Sequence, residues 1–439
     1  MATSAADTDP LSLFLDSTSK ATHMNSDVSP RENHRTPMRW LPWATLVAAA
    51  GVVSVMTAPG QTAGLSVFTD PLISELDISR TGISASYFFG TIAGAAAQPF
   101  VGRALDRHGA RSVTVAIGIL FAGVLLALSF VGDIGGLTAG FVGVRMLGQG
   151  ALSLAATTAV ARAITRHRGL ALGVTSAIGS AGISLAPVGL ERLISAVGIH
   201  AAWRWEALIV AAVVIPLAFI LPGRSRRAQD LDSLSTAQIV IQRESWTLGD
   251  AVRTGMFWVI AASLAVSGML STGLAFHQIA ILGERGLTPF EAAANFLPQT
   301  VTGIAATLLV GVFIDRVSPK LFVIFSMLTL ASSLLLLPIV EAGWTAILYG
   351  LVLGAAGGSL RGMEAAAYVR YYGTAHIGSI RGVVTAINLT STALGPIALS
   401  LGVDISGSFT EPAVTFAILP LTVAILAVFV RAPHRRASR

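Results

Sequence analysis

The sequence of 439 residues contains no cysteine and few charged residues. Without cysteine, the chain forms neither a disulfide nor a cysteine-ligated metal site. Only 12% of its residues are charged, against roughly 25% in a typical soluble domain. The charged surface that keeps a soluble protein in water is therefore missing.

Signature motifs of several enzyme classes are absent as well. The sequence contains no H-E-x-x-H metal-binding motif, no G-x-x-x-x-G-K-[ST] phosphate loop and no G-x-S-x-G nucleophile motif. The sequence therefore predicts that the protein is not an enzyme. We also expect it to need no cofactor and no metal ion.

Long apolar runs dominate the chain. Hydrophobic residues make up 53% of the sequence, and the mean hydropathy is +0.72. Runs of about 20 apolar residues are long enough to cross a bilayer core of about 30 Å as helices. We predict an all-α membrane protein with twelve transmembrane helices. The runs span residues 41–68, 81–101, 112–131, 135–161, 169–193, 203–221, 256–282, 290–314, 321–340, 345–368, 382–403 and 412–430.

Lysine and arginine lie almost entirely on one side of the predicted membrane. If the N-terminus is cytoplasmic, 23 of the 29 Lys and Arg residues fall in the tails and cytoplasmic loops, and four fall outside. Cytoplasmic loops carry an excess of Lys and Arg, so this distribution places both termini in the cytoplasm. The net charge of +6 is then explained by basic loops that lie against anionic headgroups. No nucleic-acid partner is expected. We predict a multi-pass protein of the cell (plasma or inner) membrane.

The chain divides into two similar halves. The pattern G-x-x-x-D-R occurs at Gly102 and again, 209 residues later, at Gly311. Parallel six-helix repeats are an architecture of secondary transporters. The predicted parts are a disordered cytoplasmic tail (1–40), an N-terminal six-helix bundle (41–221), a cytoplasmic linker (222–250), a C-terminal six-helix bundle (251–431) and a second tail (432–439).

Several motifs resemble those of the major facilitator superfamily. The segment GRALDRHGAR, from Gly102 to Arg111, resembles the signature between the second and third helices of that family. RMLGQG, from Arg145, resembles the signature of its fourth helix, and WRWEALI, from Trp203, resembles the entry to its sixth. PGQTAGLSVFTDPL, from Pro59, and ERGLTPFEAA, from Glu284, look most like the monocarboxylate and oxalate:formate branch.

The resemblance implies a monomeric secondary active transporter that works by rocker-switch alternating access in a lipid bilayer. A small organic anion, such as a monocarboxylate, would be carried by symport or antiport with a proton or a counter-substrate. A proton-driven exporter of drug-like molecules is the alternative within transport. A non-transporting receptor or a membrane-embedded enzyme is the alternative from another class.

The charged loop segments are predicted to form a conformational latch. The resemblance implies that Asp106 faces the start of the eleventh helix, near residues 379–382, when the cytoplasmic side is closed. A helix N-terminus carries a partial positive charge, so an acid beside it is favourable. The alternative is that the cluster only sets topology and keeps the turn tight. The latch residues would be Gly102, Asp106, Arg107, Gly109, Arg111, Gly311, Asp315 and Arg316.

Two arginines lie inside apolar runs. Arg145 is near the predicted midplane, where a charge faces a cavity or a partner. It either contacts an anion or acts in a proton-linked switch, or it bonds neighbouring backbone carbonyls in a structural role. Arg361 and Glu364 are three residues apart and share a helix face. They form either a self-neutralising pair or a substrate ligand next to a proton carrier.

Uncharged polar residues and one histidine complete the candidate site. His277 is either a proton carrier or a packed polar residue, since an imidazole titrates near neutral pH. Four further side chains are predicted to line a substrate cavity: Gln61, Tyr87, Gln299 and Asn388.

The charge distribution makes a topology prediction. Single cysteines at Arg107 and Arg316 should react only with a reagent on the cytoplasmic side, and cysteines at Asp133 and Gly407 only with one outside. Because the chain has no native cysteine, each label reports one position. Labelling of position 107 from outside intact cells would contradict the assigned orientation.

Overall fold

The computed structural model describes residues 40–164, 167–223, 246–314, 316–373 and 376–433. Its described elements are all helices, which confirms the predicted helical class. Contacts group the described residues from Ala44 onward into one compact unit. The predicted division into bundles 41–221 and 251–431 stays a prediction. Residues 1–39 of the first tail, 224–245 of the linker and 434–439 of the second tail lie outside the described residues.

The described residues before the linker form eight α-helices. We number the helices in chain order. The first three are α1 (Trp40–Val55), α2 (Thr62–Leu76) and α3 (Arg80–His108), and a short 3₁₀ turn (Ala58–Gly60) lies between α1 and α2. They are followed by α4 (Ala110–Leu128), α5 (Ile134–Val144), a π-helical segment (Arg145–Leu152), α6 (Ser153–Ala163), α7 (Arg168–Val197) and α8 (Ile199–Ala218).

The described residues from 246 onward form ten α-helices. They begin with α9 (Leu248–Ala251), α10 (Gly255–Phe276), α11 (Gln278–Gly283), α12 (Pro289–Ala294) and α13 (Phe296–Phe313). They end with α14 (Pro319–Leu336), α15 (Trp344–Tyr372), α16 (Ile377–Ser406), α17 (Thr410–Phe416) and α18 (Ile418–Phe429).

Ten helical segments of the described chain are long and apolar enough to cross a membrane. Each corresponds to one of the twelve predicted runs. The two remaining runs are helical as well, but α3 is rich in small and polar residues, and the run at 135–161 is divided by the π-helical segment. A full set of twelve transmembrane helices therefore stays a prediction.

Helix breaks inside several runs, among them the first and the seventh, differ from the predicted continuous helices. The first run is interrupted by the 3₁₀ turn at Ala58–Gly60, which contains Pro59. A proline removes a backbone donor and favours such a break. The seventh run is interrupted at His277, whose backbone leaves the helical region (φ −99°, ψ 12°). His277 thus lies between α10 and α11 and not within a continuous seventh helix.

Close contact between α13 and α15 depends on a row of glycines. Gly350, Gly354, Gly358 and Gly362 recur every four residues and so lie on one face of α15. A Cβ atom on Gly354 would lie 2.1 Å from the carbonyl oxygen of Gln299, and one on Gly358 would lie 2.2 Å from that of Gly303. Backbones can approach this closely only where the side chain is a hydrogen atom.

Glycines also bring other helix pairs together. A Cβ atom on Gly395 of α16 would lie 2.0 Å from the carbonyl oxygen of Met269 in α10. One on Gly90 of α3 would lie 2.8 Å from the carbonyl oxygen of Phe141 in α5. Each of the two parts is therefore assembled from helix pairs at backbone contact.

The glycine row makes a stability prediction. Gly358→Ala should separate α13 from α15 and lower the free energy of unfolding by about 1–3 kcal/mol, the usual cost of overpacking. Thermal unfolding of the purified protein in detergent measures it. Gly357→Ala is the matched control, because the nearest atom to its Cβ is the mobile Nη1 of Arg361, at 3.2 Å. Equal melting temperatures for the two variants would contradict the role of the row.

Candidate functional site

Arg145 begins the π-helical segment and is buried, with 3% of its surface exposed. Its Nε donates to Thr91 Oγ1 at 3.2 Å. Its Nη1 donates to the carbonyl oxygen of Gly60 at 3.2 Å and lies 3.4 Å from Thr62 Oγ1. The guanidinium also lies 4.4 Å from the centre of the Tyr87 ring.

These contacts place Arg145 among α2, α3 and the turn before α2. Within the described residues it forms no ion pair with an acid, so hydroxyls, one carbonyl and an aromatic face surround its charge. An aromatic face attracts a cation most strongly where water is excluded. The alternative in which Arg145 has a structural role predicts a hydrogen bond to a backbone carbonyl, such as the one to Gly60. Its functional role stays a prediction.

Arg361 reaches from α15 towards α13. A Cβ atom on Gly303 would lie 2.9 Å from Arg361 Nη2, so the missing side chain at that position makes room for the guanidinium. Arg361 is exposed, and it forms no hydrogen bond or ion pair with any described residue. It is a cation that a ligand can still approach.

Glu364 forms an ion pair, but not with Arg361. Its ion pair is with Arg381 of α16, with 3.7 Å between Oε1 and Nη2. Both side chains are partly exposed, so this pair adds little to stability. The structure therefore does not bring Arg361 and Glu364 together as a self-neutralising pair, although they share a helix face.

His277 is enclosed where α3, α10 and α16 meet. It is 1% exposed, and its Nε2 lies 3.1 Å from both Ser400 Oγ and the carbonyl oxygen of Pro396. Ser84 Oγ of α3 is 3.4 Å away. Its partners Ser84 and Ser400 were not predicted from the sequence. Serines in otherwise apolar runs are the signal that could have indicated them.

The uncharged candidates occupy different places. Gln61 Nε2 donates to Thr57 Oγ1 at 3.1 Å, and the Tyr87 hydroxyl lies 2.6 Å from Thr62 Oγ1. Gln299 Nε2 donates to Gln278 Oε1 at 2.8 Å. Asn388 of α16 faces α10, because its Oδ1 lies 2.4 Å from the position that a Cβ atom on Gly268 would occupy. Tyr87 is fully buried, whereas the other three candidates keep part of their surface exposed.

Polar contacts join the two parts of the chain where α3 begins and α16 ends. Thr81 Oγ1 donates to Asp404 Oδ2 at 2.6 Å, and Ser84 Oγ lies 2.6 Å from Ser400 Oγ. The Arg80 guanidinium lies 5.2 Å from the centre of the Phe409 ring. These contacts close one end of the space between the two parts.

At the opposite end, the predicted latch is not engaged. The side chain of Asp106 is 67% exposed and forms its ion pair with Arg162 of α6. Within the described residues it has no hydrogen bond or ion pair with residues 379–382. No atom lies within 4 Å of the Cβ position of Gly102 or Gly311, so neither glycine is at a close helix contact here.

Two of the remaining latch residues, Gly109 and Arg111, lie where α3 ends and α4 begins. Gly109 has a φ of 82°, a value that favours glycine, and ends α3 immediately before α4 begins. Arg111 Nε donates to the carbonyl oxygen of Leu221 at 3.3 Å. Arg107 and Arg316 are exposed, and Asp315 lies outside the described residues.

Comparisons with known proteins give the family. The sequence model of the Major Facilitator Superfamily matches residues 50–298. The oxalate:formate antiporter of Oxalobacter formigenes is 26% identical over 243 residues, which are 53% of this chain and 53% of that protein. The aspyridones efflux protein apdF of Emericella nidulans is 25% identical over 378 residues, 81% of this chain and 70% of that protein. The chain thus spans about half the length of the antiporter.

Solved structures with the same fold exist. Two crystal structures of a bacterial homologue of the human lysosomal transporter Spinster match with TM-scores of 0.67 (inward-facing and occupied) and 0.63 (inward-facing and unoccupied). Each is 14% identical and covers 88% of this chain and 96% of that chain. At this identity the likeness concerns the fold alone.

Proposed function

The chain belongs to the Major Facilitator Superfamily, and we propose that it is a secondary active transporter of a small organic anion, such as a monocarboxylate. Because the sequence has no phosphate loop, a gradient and not ATP supplies the energy. The gradient is one of protons or of a counter-substrate. The antiporter among the relatives, whose name states exchange of oxalate for formate, supports an anionic cargo and exchange.

The observation that supports an anionic substrate is the guanidinium of Arg361, which has no partner among the described residues. A charge within a membrane-spanning segment faces a water-filled cavity or a partner. Arg361 has no protein partner among the described residues, and Gly303 leaves space next to its Nη2. A carboxylate can accept two parallel hydrogen bonds from such a guanidinium. Arg361 is therefore the substrate ligand in this proposal, and Glu364 and Arg381 lie close by as a separate pair.

Alternating access fits the contacts between the two parts. The two parts are in contact at the end that contains Thr81 and Asp404, whereas Asp106, at the other end, is exposed. With the orientation predicted from charge, this conformation is inward-facing, which is also the conformation of the Spinster homologue in both solved structures. In the outward-facing state Asp106 would leave Arg162 and engage the start of α16.

The second candidate is a proton-driven exporter of drug-like molecules. The efflux protein among the relatives favours it, because that match extends over 81% of this chain. His277 is the histidine candidate for the coupling proton. Its burial at the contact of α3, α10 and α16 means that it meets water only after this end opens.

Substitution of Arg361 tests the anion proposal. In liposomes that contain the pure protein, Arg361→Gln should raise the KM for a transported carboxylate on the order of 10- to 100-fold, the value of hydrogen bonds to a charged group. Arg361→Lys should be intermediate, because it keeps the charge and loses the planar fork. Arg253→Gln, at an exposed position before α10, is the control and should match the wild type.

The double variant Arg361→Gln with Glu364→Gln separates a ligand from a neutralising partner. If it transports with wild-type affinity, Arg361 is not a substrate ligand. If liposomes with the wild-type protein pass no small carboxylate and instead export drug-like molecules, the second candidate holds.

Substitution of Asp106 tests the latch. With cysteines at Ser84 and Ser400, whose Oγ atoms are 2.6 Å apart, disulfide formation reports closure of that end. Asp106→Asn should increase the cross-linked fraction and slow transport, because the outward-facing state loses a helix-terminus contact worth up to about 2 kcal/mol. Arg162→Gln is the matched control, since it removes the ion pair observed here and the hydrogen bond from Arg162 Nη1 to the carbonyl oxygen of Leu105, and keeps the Asp106 carboxylate. Equal effects of the two substitutions would refute the latch.

A further inference from the structure

A groove lies between α13, α14 and α15, separate from the candidate site. Its volume is about 550 Å³, and its lining is almost entirely apolar. Small residues of α15 form its floor, and larger side chains of α13 and α14 form its walls. The residues that matter here are Leu309, Phe313, Leu321, Phe325, Ala355 and Ser359.

The groove opens on the face of α15 opposite to Arg361. Successive residues of an α-helix are about 100° apart, so positions two residues apart lie on nearly opposite faces. Ala355 and Ser359 line the groove, whereas Gly357 and Arg361 face the candidate site. The groove is therefore not part of the proposed substrate cavity.

The rim of the groove faces the surroundings of the helices. Leu309, Phe313, Leu321 and Phe325 are all exposed, and each lies in a helix that is long and apolar enough to cross a membrane. Along α13 the groove runs from Thr302 to Phe313. At 1.5 Å per residue this is about 16 Å, close to half of a bilayer core of about 30 Å. The length of the groove matches that of an acyl chain in one leaflet.

Two arginines lie at the end of the groove next to the α13–α14 turn. Val317 lines this end, and Arg370 Nη1 donates to its carbonyl oxygen at 2.7 Å and to that of Ile314 at 2.8 Å. Arg316 adjoins Val317 and is exposed. Within the described residues neither arginine forms an ion pair, and their two positive charges exceed the single negative charge of Asp315, which precedes Arg316 in the sequence. Basic residues at the cytoplasmic mouth of a pocket between helices attract anionic headgroups.

We propose that this groove binds one acyl chain of an anionic phospholipid, whose phosphate lies between Arg316 and Arg370. The apolar walls accept the chain, and the guanidinium groups suit a phosphate, to which arginine can donate two hydrogen bonds. The lipid would tie the α13–α14 turn to the end of α15. This inference does not depend on the identity of the transported solute, because binding is measured without it.

Photo-cross-linking in nanodiscs tests the lipid site. The full-length protein is mixed with phosphatidylglycerol that carries a diazirine on one acyl chain, irradiated and digested. The expected adduct lies within residues 302–325. Phosphatidylcholine with the same labelled chain should label this segment several-fold less. Arg316→Gln should weaken competition by unlabelled phosphatidylglycerol about fivefold, since one arginine near the surface contributes about 1 kcal/mol.

Two further variants complete the test. Ala355→Phe fills the floor of the groove and should abolish the adduct, and Arg253→Gln, a cytoplasmic arginine away from the groove, should leave it unchanged. Equal labelling by the two lipids would overturn the proposal, as would an adduct that persists unchanged in both Arg316→Gln and Ala355→Phe. The Arg316 variant changes only an exposed side chain, so the test does not depend on whether Ala355→Phe folds.

Discussion

Close contact between helix backbones is the constraint on which the rest of this structure depends. Lipid tails are as apolar as leucine side chains, so helices in a membrane gain little from burying apolar surface against each other. When two helix backbones are in direct contact, dispersion and dipole interactions stabilise the pair. Such a close approach requires glycine. In α15, glycines at every fourth position from Gly354 to Gly362 meet carbonyl oxygens of α13. The helix pairs α10–α16 and α3–α5 follow the same rule.

The same glycines decide where the charges lie. Gly303 makes room for the guanidinium of Arg361, which would otherwise be pushed away from α13. The carbonyl oxygen of Gly60 accepts a hydrogen bond from Arg145, and a Cβ at that glycine would lie 2.3 Å from the carbonyl oxygen of Val144. One arginine is enclosed by polar atoms and the other is left open. This difference in environment separates the two arginines and makes Arg361 the one that a ligand can approach.

The contacts between the two parts of the chain differ in kind from those within each part. Within a part, glycines bring helix backbones into direct contact. Between the parts, hydroxyl groups and one histidine interact at the end of Thr81 and Asp404. A hydrogen bond of this kind contributes about 0.5–1.5 kcal/mol and exchanges readily for one with water. Alternating access needs such a division between rigid parts and a contact that can open.

The sequence by itself determined the helical class, the positions of the apolar runs and the family. These properties are local, because hydropathy and loop motifs are read from contiguous residues. It did not determine which side chains meet. Arg361 and Glu364 share a helix face, yet Glu364 pairs with Arg381, because the position of α16 decides which cation is within reach.

The tertiary structure alone placed His277 at a break between α10 and α11, next to Ser84 and Ser400 from distant parts of the chain. It also formed the groove of α13, α14 and α15, whose lining comes from three helices. The glycine row of α15 was present in the sequence, but only the position of α13 shows which neighbour it contacts. Long-range partners depend on how helices pack, and that packing is a property of the whole assembly.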